Sequence, residues 1–245
     1  MPARHVRAVL LAAVMALVAG RDACAGAFAV APIRVELRAG QTAGELTIHN
    51  ENAASTLIQV RAVEWSQSAS GEDQYADSRD LLVTPPVFTA AANGEQILRV
   101  ALRRAPDATR ELSYRLFIQE VPPAANPELK QLTMALRISL PVFVVPTARA
   151  VPDLAWTMQW QSDGRLLVQA TNRGGAHLQL TDFDLQRADG TALAAGSHTV
   201  RYLLPGTTAH WTLDAPAADR QAAGLRVHGH GEQGEFTAPL TLLQP

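Results

Sequence analysis

A long apolar pattern runs from residue 131 to residue 146. Large apolar side chains take every second position of its first part, and in a β-strand such side chains line one face. These residues are Leu132, Met134, Leu136, Ile138 and Leu140. The apolar run then continues to Val145, which makes the segment about three times as long as a usual strand. The pattern predicts a strand with more apolar surface than one small domain needs to bury.

Shorter strand patterns, each closed by turn residues, fill the rest of the chain. Before the long strand we predict strands at residues 30–38, 44–49, 55–65, 81–83, 96–102 and 114–121. After it we predict strands at residues 156–159, 166–170, 177–185, 198–203, 210–213, 224–228 and 236–243. The two sets predict an all-β fold of two β-sandwich domains, with a short polar joint near residues 147–152.

The N-terminus has the features of an export signal. Arg4 and Arg7 precede an apolar stretch at residues 8–19, which is too short to span a bilayer. Small residues in an A-x-A pattern follow at 23–25. We therefore predict a signal peptide at residues 1–25, which is removed on export.

The remaining chain divides into an N-terminal domain at residues 26–147 and a C-terminal domain at residues 151–245. The only cysteine, Cys24, lies within the predicted signal. The mature chain therefore has no disulfide, although it enters a compartment where disulfides form. Its stability must come from its own cores.

Charge and motifs argue against several functions. The net charge of −2 gives no basic footprint for nucleic acid. We find no nucleophile elbow, phosphate-binding loop or zinc-protease motif, so no enzyme activity is predicted. His228 and His230 share one side of a predicted strand, and Glu232 or Glu235 could complete a metal site. The glycines around them favour a mobile hairpin, and we predict no metal or other cofactor. The four tryptophans, Trp65, Trp156, Trp160 and Trp211, are expected to anchor the two cores.

Several segments, in this order, resemble the periplasmic chaperones of the chaperone-usher pilus pathway, the PapD-like family. They are Arg34, Gly40, residues 46–50, residues 84–88, Gly94, residues 96–100, residues 114–123 and the long strand that ends at Pro146. The resemblance implies two immunoglobulin-like sandwiches in an angled, boomerang-like arrangement. It is strong as far as Pro146 and lies only in the style of the strands beyond it.

The resemblance also implies a function for the long strand. A pilus subunit lacks the last strand of its own sandwich, and the chaperone lends one, which is a form of strand addition. By this resemblance the donor residues are Leu132, Met134, Leu136 and Ile138. The alternative is that these side chains pack the core of their own domain.

The family holds the terminal carboxylate of the subunit between two basic residues in the cleft between the domains. Arg34 matches the first, with a solvated pair to Glu36 as the alternative. Pro141 stands where better-known members have a lysine, and proline offers neither a charge nor an N–H donor. Arg115 and then Arg137 are the candidate replacements, because a carboxylate still needs a cation.

Val145 stands where better-known members have an arginine that links the domains. Together with Pro141, this substitution resembles the archaic branch, which builds Csu-like or spore-coat-type pili. The implied partners are pilus subunits and an outer-membrane usher, in the periplasm, without membrane insertion. The alternative function is an immunoglobulin-like surface adhesin or a structural subunit of the pilus.

Overall fold

The computed structural model describes residues 28–122, 134–198, 200–216 and 224–243. These residues form eighteen strands and no helix, and they therefore include no helix that is long and apolar enough to cross a membrane. The strands are β1 (Phe28–Ala31), β2 (Val35–Leu37), β3 (Ala43–Asn50), β4 (Thr56–Gln67), β5 (Asp73–Asp77), β6 (Leu81–Thr84), β7 (Val87–Ala90), β8 (Glu95–Leu102), β9 (Leu112–Glu120), β10 (Arg137–Val144), β11 (Leu154–Trp160), β12 (Leu166–Asn172), β13 (Leu178–Gln186), β14 (Ala192–Ser197), β15 (Arg201–Leu203), β16 (Thr208–Leu213), β17 (Arg226–Gly231) and β18 (Gly234–Leu242). The predicted signal peptide and Leu132 lie outside the described residues.

Strands β1 to β10 form two sheets that face each other. One has the order β1-β3-β8-β6, and the other has the order β2-β10-β9-β4-β5, with β7 also paired to β4. Period-two alternation builds the core between them: along β9, Tyr114, Leu116 and Ile118 are buried in it. Arg115 and Phe117 therefore lie on the outer face of the same strand.

Strands β11 to β18 form the second sandwich. The first part of β18 pairs with β17 and its last three residues pair with β11, so this strand joins the two halves of one folded sheet. Both halves contribute to a second core that contains Trp156, Leu166, Phe183 and Val227. The predicted all-β fold of two sandwiches is confirmed, and the predicted domain limits stay a prediction.

A third apolar cluster lies between the two sandwiches. Trp65 and Phe143 of the first sandwich pack there against Tyr202 and Leu204 of the second. Gln67 reinforces the contact, because its side-chain amide donates to the carbonyl of Tyr202 and its side-chain oxygen accepts from the N–H of Leu204. Trp65 thus joins the sandwiches, whereas Trp156, Trp160 and Trp211 pack in or against the second core as predicted.

Strands β5, β7 and β14 were not predicted, and two predicted strands differ markedly from the observed ones. Residues 30–38 form β1 and β2, which belong to opposite sheets and are separated by a bend at residues 32–34. The long strand begins only at Arg137 among the described residues, and residues 134–136 are not in a strand. The reason is its neighbour: β9 ends at Glu120, opposite Leu136, so earlier residues have no partner along β9.

Candidate functional site

Arg34 lies in the bend between β1 and β2 and lines a cleft between the two sandwiches. Its side chain is 35% exposed. The guanidinium contacts two carboxylates, Glu36 at 3.3 Å from the first sandwich and Glu232 from the second. Burial alone would lower the pKa of Arg34, but these carboxylates raise it. The predicted pair with Glu36 is therefore present, together with a partner that the sequence did not indicate.

Arg115 lies directly opposite Pro141 in the register of β9 and β10. Paired residues of an antiparallel ladder share a face, so Arg115 presents its charge beside the position that proline occupies. Its side chain is only 13% exposed, and its guanidinium lies 3.8 Å from the centre of the Trp65 ring. Asp73 approaches it at 4.0 Å. Arg115 is thus a largely buried cation that packs on the ring of Trp65, beside the interface between the sandwiches.

Tyr202 is the neighbour that Arg34 and Arg115 share. The guanidinium of Arg115 lies 5.5 Å from the Tyr202 ring, and Arg34 interacts with its hydroxyl. Burial raises the pKa of Tyr202, and the two arginines oppose that rise. Sequence reasoning missed this residue, because a single tyrosine in a short strand carries no pattern.

Arg137 occupies a different place. Its guanidinium lies 3.9 Å from the centre of the Phe117 ring on the outer face of the sheet. Arg137 lies four positions before Pro141, which is ~13 Å along a strand. The structure therefore brings Arg34 and Arg115 to one common neighbour and places Arg137 against Phe117 instead.

From Arg34, a row of alternating charges runs through Glu232 to His177 and Glu111. Its second oxygen lies 3.1 Å from Nε2 of His177, and Nδ1 of His177 lies 2.7 Å from a carboxylate oxygen of Glu111. The 3.1 Å contact has the distance of an ion pair without the alignment of a hydrogen bond, so we regard it as electrostatic. Because both ring nitrogens of His177 face carboxylates, Glu111 and Glu232 favour its doubly protonated imidazolium form.

The pKa values of His177 and Glu232 follow from the contacts of this row of charged residues. Burial would lower the pKa of His177, but the two carboxylates outweigh it and raise the value to about 8. Burial would raise the pKa of Glu232, but His177 and Arg34 outweigh it and lower the value to about 2. The alternating charges from Glu111 to Arg34 connect the two sandwiches.

Among the described residues, strand β10 has an open edge over most of its length. On one side it pairs with β9 throughout, whereas on the other it pairs with β2 only from Val142 onward. The N–H of Glu120 donates to the carbonyl of Leu136, so even-numbered residues of β10 point their backbone groups toward β9. Arg137, Ser139 and Pro141 then point theirs to the side where no described strand pairs with them.

The predicted donor residues divide along this strand. Ile138 packs against the first core. Leu136 lies opposite the last residue of β9 and is 37% exposed, and Met134 lies beyond that point and is 71% exposed. Leu132 falls outside the described residues. Within the described part, the apolar row thus starts in its own core and continues past it into solvent.

The two histidines weighed as metal ligands have separate carboxylate partners. His228 pairs with Glu235 at 2.7 Å, and His230 pairs with Asp182 at 2.8 Å. Glu232, the other candidate ligand, contacts Arg34 instead. Within the described ranges, no group of three such side chains is placed to hold a metal ion.

This fold and cleft belong to a class of two-sandwich β proteins with an open edge strand beside a cleft that contains an arginine. The family model of the pili and flagellar-assembly chaperones, PapD N-terminal domain, matches residues 27–150. The chain belongs to this family, and the predicted resemblance is confirmed. Comparison with curated protein sequences found no match.

Solved structures of pilus chaperones have the same fold. One is the CsuC–CsuE chaperone and tip adhesion subunit pre-assembly complex from archaic Csu pili of Acinetobacter baumannii, at 20% identity and a TM-score of 0.68, covering 89% of this chain and all of that one. Another is the CupB2 chaperone of Pseudomonas aeruginosa, at 21% identity and a TM-score of 0.57, covering 88% and 100%. A third is the SafA pilin with the SafB chaperone of Salmonella enterica, at 19% identity and a TM-score of 0.57, covering 89% and 97%.

Proposed function

We propose that this chaperone works in the periplasm, where it binds pilus subunits by donor-strand complementation and delivers them to an outer-membrane usher. The observation that carries the proposal is the open edge of β10 and the exposed apolar side chains that continue from it. An unpaired edge is a template for another strand. Met134 and Leu136 can enter an apolar groove of a subunit while the edge bonds to its backbone.

The energetics favour this use of the strand. Full burial of a methionine or leucine side chain contributes about 1.5–3 kcal/mol. In the free chain Met134 is 71% exposed and Leu136 is 37% exposed, so most of that contribution from Met134 and a smaller part of it from Leu136 is available to a partner. Ile138 and Leu140 belong to the first core and fix the strand from which the donor residues extend.

The cleft supports the second part of the proposal. Arg34 is accessible at its mouth, and a guanidinium can bind a carboxylate through two parallel hydrogen bonds. Arg115 stands opposite Pro141 and next to Tyr202, so it is the second cation in our proposal, ahead of Arg137. With Pro141 at that position, we assign the chain to the archaic branch.

The test is recovery of partners from the periplasm of the native host. A tagged chaperone should co-purify with a small β-rich subunit that keeps its C-terminus, identified by mass spectrometry. Met134→Asp should abolish that recovery, because a carboxylate would be forced into an apolar groove. Ile97→Asp is the matched control, since Ile97 is an exposed apolar residue on the other sheet and should leave recovery unchanged.

Equal recovery by wild type and Met134→Asp would contradict donor-strand binding. The pilus fibres supply a separate check, because a chaperone is absent from purified fibres. Finding this chain as a stoichiometric component of the fibre would favour the structural subunit instead.

A further inference from the structure

Glu232 contacts Arg34, the cation that a subunit carboxylate is expected to bind. It comes from the second sandwich and contacts Nη1 of Arg34 across the cleft. The contact joins residues 198 positions apart, so nothing in the local sequence requires it. The free chaperone therefore already has a carboxylate at Arg34.

The position of Glu232 suits a side chain that moves. It lies at the tip of the hairpin between β17 and β18, where Gly231 pairs with Gly234 across a two-residue turn. The N–H of Glu232 donates to the carbonyl of Gln179 at 3.0 Å, which ties the backbone of the tip to β13. The backbone is fixed while the side chain reaches into the cleft, so the carboxylate can swing without disturbing a core.

Glu232 also has a second ion-pair partner, His177. One of its oxygens contacts Arg34, and the other lies 3.1 Å from His177, which Glu111 holds from its far side. If Arg34 takes another carboxylate, Glu232 keeps an ion pair with His177. The exchange leaves no buried charge without a partner, which would otherwise be costly.

We propose that Glu232 is a built-in carboxylate that holds Arg34 in the free chaperone and is displaced by the C-terminal carboxylate of the subunit. The inference rests on the proposed function, because it takes Arg34 as the anchor. The consequence is selectivity. A stray anion must compete with Glu232, which stays ionised at neutral pH. A subunit brings strand pairing as well as its carboxylate, and so it can displace Glu232.

The probe for the test is a fluorescein-labelled synthetic strand peptide of alternating apolar residues, made in two forms. One form ends in a free carboxylate and the other in an amide. Fluorescence anisotropy measures the binding of both to the full mature chaperone. Glu232→Gln should bind the carboxylate form about three- to tenfold more tightly than wild type and the amide form equally well.

The chain offers a matched control and a second variant. Glu235→Gln lies in the same hairpin and removes the pair with His228, so it should bind both peptides as wild type does. Glu232→Asp keeps the charge but shortens its reach to Arg34, and it should also tighten the carboxylate form. Glu232→Asp therefore tests the displacement if near-UV circular dichroism shows that Glu232→Gln folds poorly.

The outcomes separate the inference from the proposed function. If wild type prefers the carboxylate peptide and neither Glu232 variant strengthens that preference, the displacement is wrong while the anchor stands. If no variant prefers the carboxylate over the amide, Arg34 is not a carboxylate anchor, and both ideas are overturned. Equal tightening of the two peptides would also overturn displacement, because it would show a general opening of the cleft.

Discussion

The ring of His177 lies parallel to the ring of Phe143, with centroids 3.5 Å apart and planes 10° apart. His177 belongs to the second sandwich and Phe143 to β10 of the first. The stack covers one face of a histidine whose two nitrogens contact carboxylates. The same strand that provides the open edge thus also holds the contact between the sandwiches.

Phe143→Ala should destabilise the chain by about 3–5 kcal/mol, because Phe143 is fully buried and its loss leaves a cavity. The cavity lies between the sandwiches, so we expect their unfolding transitions to separate. Chemical denaturation followed by tryptophan fluorescence and circular dichroism measures both effects. Phe117→Ala, on the outer face of β9, is the control and should cost much less. Equal losses in the two variants would contradict the role of Phe143 in the interface.

The stability of the chain should fall between about pH 6.5 and pH 8. The pKa of His177 is raised to about 8 in the folded chain, against an ordinary value of 6.5. Its contribution to stability is therefore complete below pH 6.5 and is lost as the pH rises through 8. The groups that face His177 are Glu111 and Glu232, and the expected loss is about 1–2 kcal/mol.

Denaturant midpoints at pH 6 and pH 9 would measure this loss. In His177→Gln the step should disappear, whereas in His228→Gln, which changes a partly exposed pair, it should remain. A step of the same size in His177→Gln would show that another group is responsible.

Arg34→Gln should reduce recovery of the subunit complex by about tenfold or more, because a charge-assisted contact with the carboxylate is lost. The midpoint of thermal unfolding of the free chaperone checks for damage to the fold. A large fall in that midpoint, with subunit binding intact in the folded fraction, would mean that Arg34 only joins the two sandwiches through Glu232.

The choice between Arg115 and Arg137 can be made by parallel substitution. Arg115→Gln should weaken subunit binding, because Arg115 stands opposite Pro141 and beside Tyr202. Arg137→Gln should leave it nearly unchanged, since Arg137 lies over Phe117. Titration of a purified subunit followed by anisotropy compares the two, and the reverse ranking would make Arg137 the second cation.

The local patterns of the sequence predicted much of the fold. Alternating side chains located most strands within a few residues, and counting from Pro146 drew attention to Pro141 and its neighbour Arg115. The division of residues 30–38 between two sheets was not predicted, because the apolar pattern does not register a change of sheet.

Local sequence patterns could not predict the row of charged residues across the cleft, for a different reason. His177 and Glu111 are separated by 66 positions, and Arg34 and Glu232 by 198. Such pairs depend on how the two sandwiches meet, which no period along the chain encodes. Glu232 stood out only as a neighbour of His230, where it was considered as a metal ligand and not as a partner of Arg34.

Pro141 has a consequence for contacts between copies of the chaperone. It lacks an N–H, and its position in β10 turns that gap toward the open edge. Two chaperones that met edge to edge near this point would each bring the same missing donor, so a continuous sheet across them would be interrupted. In our proposal, a subunit strand would dock nearer to Met134 and would avoid the gap. Pro141 therefore makes this edge poorly suited to pairing with a second copy of the chaperone, and it leaves the part of the edge nearer to Met134 available to another strand.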